Sequence, residues 1–309
     1  IEVSQKDAKC QLAEKWLEKT ATDSELQVNE DDTQIHIKGR EFAYTIDRRT
    51  ALFTEMKFAG REYLNHPMEL NIWRAPTDND MYIKAEWKKA HYDKAYTRAY
   101  TTEVVQGKHG VKIVSHASVV AETVQKILDV TITWKIDASG KIDADIEATK
   151  DGEFPDLPRF GVRMFLDKKL SDARYFGMGP QESYRDKHQA ASHGLYRANV
   201  RDLHEDYIRP QENGSHYDCG YVELNNSRYG IVASAEKAFS FNASYYTQEE
   251  LEKKTHNYEL AESDSVVLCV DYALNGIGSN SCGPVVLDQY RFNDVLFRFR
   301  FTLIPYVKG

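Results

Sequence analysis

Gln34-Ile35-His36-Ile37-Lys38 and Phe42-Ala43-Tyr44-Thr45-Ile46 stand on either side of Gly39-Arg40. Apolar and polar residues alternate through both runs, a period of two that puts alternate side chains on opposite faces of an extended chain. The pair therefore predicts a β-hairpin. The same pattern continues at residues 111–122, 126–136, 141–149 and 160–166, with Ala138-Ser139-Gly140 as one of the turns. It resumes at 221–224, 230–235, 239–245, 265–273 and 295–304, all rich in β-branched and aromatic residues. Many short strands and few helices predict an all-β chain of antiparallel sheets stacked as a sandwich. Thr247-Gln248-Glu249-Glu250 has the form of a capping box and predicts a short helix over 248–254. Residues 8–17, with Ala8, Leu12, Trp16 and Leu17 apolar, fit a helical period as well. No stretch supplies the rhythm of strands alternating with long helices that a βα barrel or a doubly wound sheet requires.

The 309 residues carry 40 Lys and Arg against 48 Asp and Glu, so 40 − 48 = −8, with 41% hydrophobic and 28% charged residues. This is the composition of an ordinary globular protein. The acidic balance and the lack of a Lys/Arg cluster argue against nucleic acid as a partner. No run of about 18 apolar residues could span a bilayer, so no membrane partner is expected. Ile1-Glu2-Val3-Ser4 lacks an initiator Met and the outline of a signal peptide, and reads as the start of a mature or excised fragment. A soluble chain is expected, cytoplasmic or periplasmic. Cys10, Cys219, Cys269 and Cys282 form no CxxC pair and are expected to be free thiols.

Gly177-Met178-Gly179-Pro180 and Gly276-Ile277-Gly278 lack the third glycine and the following helix of a nucleotide loop, and predict tight turns after strands. Asp78-Asn79-Asp80 could contribute to a calcium loop, but two carboxylates do not fill six to eight sites, and side chains closing their own turn explain it better. Histidines 188, 193, 204 and 216 share the central segment with Glu182, Asp186 and Glu212, without metal-ligand spacing. Two readings stand: a His/Glu acid–base pair acting on a sugar ring, or a structural network of buried polar groups.

Five motifs in order resemble the C-terminal part of lacZ-type bacterial β-galactosidase, of glycoside hydrolase family 2. They are residues 73–80 (WRAPTDND), 177–184 (GMGPQESY), 210–214 (PQENG), 241–256 and 276–284 (GIGSNSCGP). The resemblance implies that residues 33–309 form one large antiparallel supersandwich similar to galactose mutarotase, and that residues 1–32 are a linker or the last strand of a preceding immunoglobulin-like domain. It implies a domain or small subunit of a retaining enzyme acting on terminal β-galactosides. The catalytic glutamates of that family lie on a barrel absent from this sequence, so no catalytic residue is expected in this chain. Expected partners are the barrel-bearing remainder, a β-galactoside substrate and, in the complete enzyme, further copies in a homo-oligomer. No cofactor or metal is expected here, although the complete enzymes usually use Mg and Na. In the family, a tryptophan on the loop matching 276–284 stacks on the sugar in the aglycone position. Cys282 stands in its place, too small for a stacking platform. Cys282 is thus the candidate rim residue, and Glu182, Tyr184, Asp186, Glu212 and Asn213 form a candidate sugar-binding or structural polar network. A stand-alone mutarotase-like epimerase and a carbohydrate-binding module are the alternatives from other classes.

Overall fold

The structure, a computed structural model, describes residues 26–308. The helical period at 8–17, Cys10 and most of the 1–32 segment lie outside the described residues. A five-stranded antiparallel sheet runs in chain order through β1 (Gln27–Glu30), β2 (Gln34–Lys38), β3 (Phe42–Asp47), β4 (Leu52–Phe58) and β5 (Arg61–Glu62). The hairpin read from the sequence is β2 and β3, with Gln34 opposite Asp47 and Lys38 opposite Ala43. Ile35, Ile37, Phe42, Tyr44 and Ile46 are its buried apolar residues, spaced as the period of two requires.

The second sheet has twelve strands: β6 (Leu64–Asn71), β7 (Tyr96–Gln106), β8 (Gly110–Val120), β9 (Leu128–Asp137), β10 (Ile142–Lys150), β11 (Arg159–Asp167), β12 (Asp172–Gly179), β13 (Ser192–Asn199), β14 (Ser215–Asn225), β15 (Tyr229–Ser244), β16 (Ser265–Leu274) and β17 (Leu296–Val307). Its main path is β13-β12-β14-β15-β17-β10-β9-β8-β7, with β16, β11 and β6 branching from β15. All pairings are antiparallel. The chain is therefore the expected all-β antiparallel sandwich.

An edge-to-face aromatic column ties the sheets together: Tyr44 to Phe53 at 5.9 Å, Phe53 to Trp134 at 4.9 Å and Trp134 to Phe301 at 6.3 Å between centroids. Such contacts contribute about 0.5–1.5 kcal/mol each beyond burial. The polar ends of these rings are satisfied, with Tyr44 donating to the Gly140 carbonyl at 2.7 Å and Trp134 to that of Ala51 at 2.8 Å.

Three local expectations are corrected. The runs at 230–235 and 239–245 form the single strand β15, whose first half pairs with β17 and whose second half pairs with β16. The exposed middle residues belong to neither pairing and break the alternation. Gly177 and Gly179 lie inside β12 rather than in a turn after it; a Cβ at Gly177 would sit 2.3 Å from the Cys219 Sγ, so packing dictates the glycine. The capping box forms by half. In α2 (Gln248–Lys253), which follows α1 (Ile83–Lys89) in the chain, the Glu250 amide donates to Thr247 Oγ1 at 3.1 Å. The Glu250 carboxylate instead accepts from the Ala261 amide at 2.8 Å.

Candidate functional site

The loops following β6, β12, β13 and β16 meet at one end of the sandwich, and two buried arginines organise them. Arg74 is fully buried; its guanidinium donates to Asp80 at 2.7 and 3.1 Å and to the carbonyls of Asn275 at 2.6 Å and Gly276 at 3.1 Å. Asp80 also accepts from the Thr77 amide and hydroxyl, at 2.9 and 3.1 Å. Asp78 exchanges hydrogen bonds with Gln211. Asn79 donates to the Gly278 carbonyl at 2.7 Å and accepts from the Ser281 hydroxyl, also at 2.7 Å. The two carboxylates of Asp78-Asn79-Asp80 thus face different partners, and the motif is a turn and a clamp. Among the described residues no group of three or more His, Cys, Asp or Glu side chains converges as a metal site.

Asp186 supplies the second clamp. Its carboxylate accepts from the amides of Ile277 at 2.9 Å and Gly278 at 2.7 Å. Gly276-Ile277-Gly278 is a turn whose amides hold an anion, and the anion is the chain's own. Gly278 has φ +67, and a Cβ there would lie 2.6 Å from Val286, so both backbone and packing require glycine. Cys282 is exposed on this doubly held loop, its amide donating to the Ser279 carbonyl at 3.2 Å. Cys219 and Cys269 are free and buried.

The network candidates separate. Glu182 accepts from the Gly214 amide at 2.8 Å and, through very short contacts, from Lys187 and Tyr207. Asn213 accepts from the Glu205 amide and donates to the Gln211 carbonyl, which folds the 205–213 loop. Tyr184 is buried and joined to Lys187 by a backbone bridge. Glu212 is fully buried beside Arg159, at 3.2 Å, and Arg159 also binds Asp271 through both Nε and Nη2. Burial pushes the carboxyls of Glu212 and Asp271 upward, and the Arg159 guanidinium pulls both back down. Arg159 and Asp271 carry no role in the sequence reading: isolated charges in or beside strand-like runs are normally surface residues, and only the fold shows that these two face each other.

The four histidines do not share an open pocket with a glutamate. His188 bonds the Tyr184 carbonyl and His193 that of Asp218. His204 packs against Tyr246, with its pKa lowered by burial. His216 bonds the Met178 carbonyl at 3.2 Å and packs its ring against Tyr175 and Phe241. Burial lowers the His216 pKa to about 4, against about 6.5 in an unfolded chain. The unfolded chain thus binds the proton first, and stability is full above pH 6.5 and lost as pH falls toward 4. At about 1.4 kcal/mol per pH unit the loss reaches about 3 kcal/mol. Urea unfolding from pH 7 to 4.5 should show a shallower decline for His216→Gln than for the parent. Parallel curves would remove His216 as the cause.

The family model described as the β-galactosidase small chain matches residues 38–303. A β-galactosidase of Actinobacillus pleuropneumoniae is 45% identical over 285 residues, covering 92% of this chain and 28% of that protein. One of Staphylococcus xylosus is 33% identical over 282 residues, covering 91% and 28%. The chain thus spans little more than a quarter of the length of these relatives. Among solved structures, a galactose 1-epimerase from Lactobacillus acidophilus NCFM aligns over 94% of this chain and 100% of its own, at 10% identity and a TM-score of 0.48.

Proposed function

The chain belongs to the β-galactosidase small-chain family, and from that premise we propose that it is the C-terminal component of a retaining β-galactosidase of glycoside hydrolase family 2. In this reading it docks its loop end onto the barrel-bearing remainder and completes the rim of the active site. The observation that carries the proposal is the surface of that end. Met81, Tyr82, Ile208, Val285 and Leu287 are exposed there, Ile208 by 87%. They sit on loops latched to one another by the Asp78–Gln211 and Asn79–Ser281 hydrogen bonds. Apolar side chains gathered on a fixed surface mark an interaction site, and the unmatched greater part of the relatives is the partner that needs one. The Mg and Na sites implied by the family are assigned to that remainder.

Cys282 tests the rim. Its loop is held rigidly by Asn79 and Asp186, so in the assembled enzyme position 282 is expected to face the aglycone with little stacking area. Cys282→Trp, made in the complete enzyme, should lower KM for lactose by about 2- to 10-fold if the ring gains ~0.5–1.5 kcal/mol against the sugar face. Unchanged KM and kcat for both lactose and an aryl galactoside, with a thiol reagent at Cys282 leaving activity intact, would place the loop away from the substrate.

A further inference from the structure

A groove on the face of the large sheet lies beside the site described above and meets it at Tyr184. It opens where β15 changes partners. Ser234 is the last residue paired with β17 and Ser240 the first paired with β16. On the other side of β15, Cys219 of β14 pairs with Phe239, whereas Tyr221 pairs with Ser234. Four residues of β15 therefore stand opposite a single residue of β14, an oversized bulge that forces the sheet apart. Asp218, in the neighbouring register shift between His216 and Cys219, is held at φ +53.

Three cavities line up along the opening. The first, of about 200 Å³, has Arg185, Tyr217 and Asp218 in its wall. The second, of about 190 Å³, shares Ala238 and Tyr272 with the first. The third, of about 490 Å³, shares Glu236, Arg298 and Arg300 with the second. At ~30 Å³ per water, each of the smaller two holds about six or seven waters, the scale of one small polar ring. Shared walls place the three side by side, with room together for several rings.

The lining selects a ligand chemistry. Arg298 is paired with Asp145 and Glu147, and Arg300 with Asp145. At the Arg298–Arg300 end a charged ligand would have to break these pairs. Neutral hydroxyls can donate to the carboxylates and accept from the guanidiniums while the pairs stay intact. Tyr272, at the junction of the first two cavities, has its ring stacked on Phe297 at 5.1 Å and 16°, which fixes a flat apolar element suited to a sugar face.

We propose that this groove binds a neutral oligosaccharide, at a site separate from the loop that carries Cys282. Isothermal titration of the chain with β-1,4-galactotetraose tests it, with tetragalacturonate as the charged counterpart. Ala238 is exposed at the junction, so Ala238→Trp should fill the groove without disturbing the core. The tetraose should bind the parent chain, bind Ala238→Trp at least about tenfold more weakly at equal thermal stability, and bind more tightly than the uronate. Absence of binding to the parent at millimolar tetraose, equal affinity for the folded Ala238→Trp variant, or tighter binding of the uronate would each overturn the assignment.

Discussion

Turnover of a chromogenic β-galactoside by the purified chain should not exceed background, and joining the chain to the rest of a relative such as the Actinobacillus pleuropneumoniae enzyme should restore it. Retaining hydrolysis needs two carboxyl groups about 5–5.5 Å apart that both reach the sugar. The described residues do bring two carboxyls together, Glu212 and Asp271 on Arg159, but all three side chains are buried where no substrate can enter. Glu182 and Asp186, the other acids of the candidate network, are occupied by Lys187, Tyr207 and main-chain amides. If the latched loops form the docking surface, Tyr82→Asp with Ile208→Asp should cut the restored activity by more than about tenfold, because a buried unpaired carboxylate opposes association. Both positions are exposed, so the stability of the chain alone should hardly change. Turnover by pure chain free of host enzyme would defeat the assignment as a component. Restored activity indifferent to both aspartates would defeat the docking surface.

The parts of the fold legible in sequence are those where local pattern and tertiary role agree. In β2 one face is core and the other is not, so alternation in the sequence is alternation in burial. β11 is buried almost throughout and reads as a short apolar run within its true span. β15 reads as two strands because residues 236–238 are exposed between two pairing halves, a break in pattern caused by a change of neighbour rather than a turn. β7 went unread because it is an edge strand, largely exposed, with little alternation to detect. α1 has seven residues, too few for a helical period to declare itself, and is held by Trp87, which buries its ring and donates to the Asp156 carbonyl at 2.8 Å. For the site, the motifs 73–80, 177–184 and 276–284 were visible, but their mutual bonds were not. That Asp186 grips Ile277 and Gly278 depends on residues 91 and 92 positions apart, a separation that no local spacing rule reaches.

Arg159→Ala should be among the most destabilising single changes in the chain. The guanidinium holds Asp271 through two hydrogen bonds and Glu212 through a third, with all three side chains withdrawn from solvent. Removing it leaves Asp271 in a low-dielectric interior without a counter-charge and Glu212 with only Arg74, and breaking a buried ion pair in this way costs about 3–5 kcal/mol. The loss should depend on pH in a defined direction. Burial already pushes both carboxyls upward; without Arg159, Asp271 loses the cation that pulls it back and Glu212 keeps only Arg74. In the variant the native state therefore binds protons that the unfolded chain, with carboxyls near pKa 4, has released. Stability of the variant must fall as pH rises from 5 to 8, and the gap to the parent must widen over the same range. Urea unfolding of both proteins at pH 5 and pH 8 measures that gap. Replacing all three residues with apolar ones, as in Arg159→Met with Asp271→Leu and Glu212→Leu, removes the stranded charges and should recover part of the loss. A deficit for Arg159→Ala below about 1 kcal/mol, or one equal at both pH values, would mean that water or a neighbouring cation such as Arg74 compensates the carboxyls, and that Arg159 does not organise this end of the sandwich.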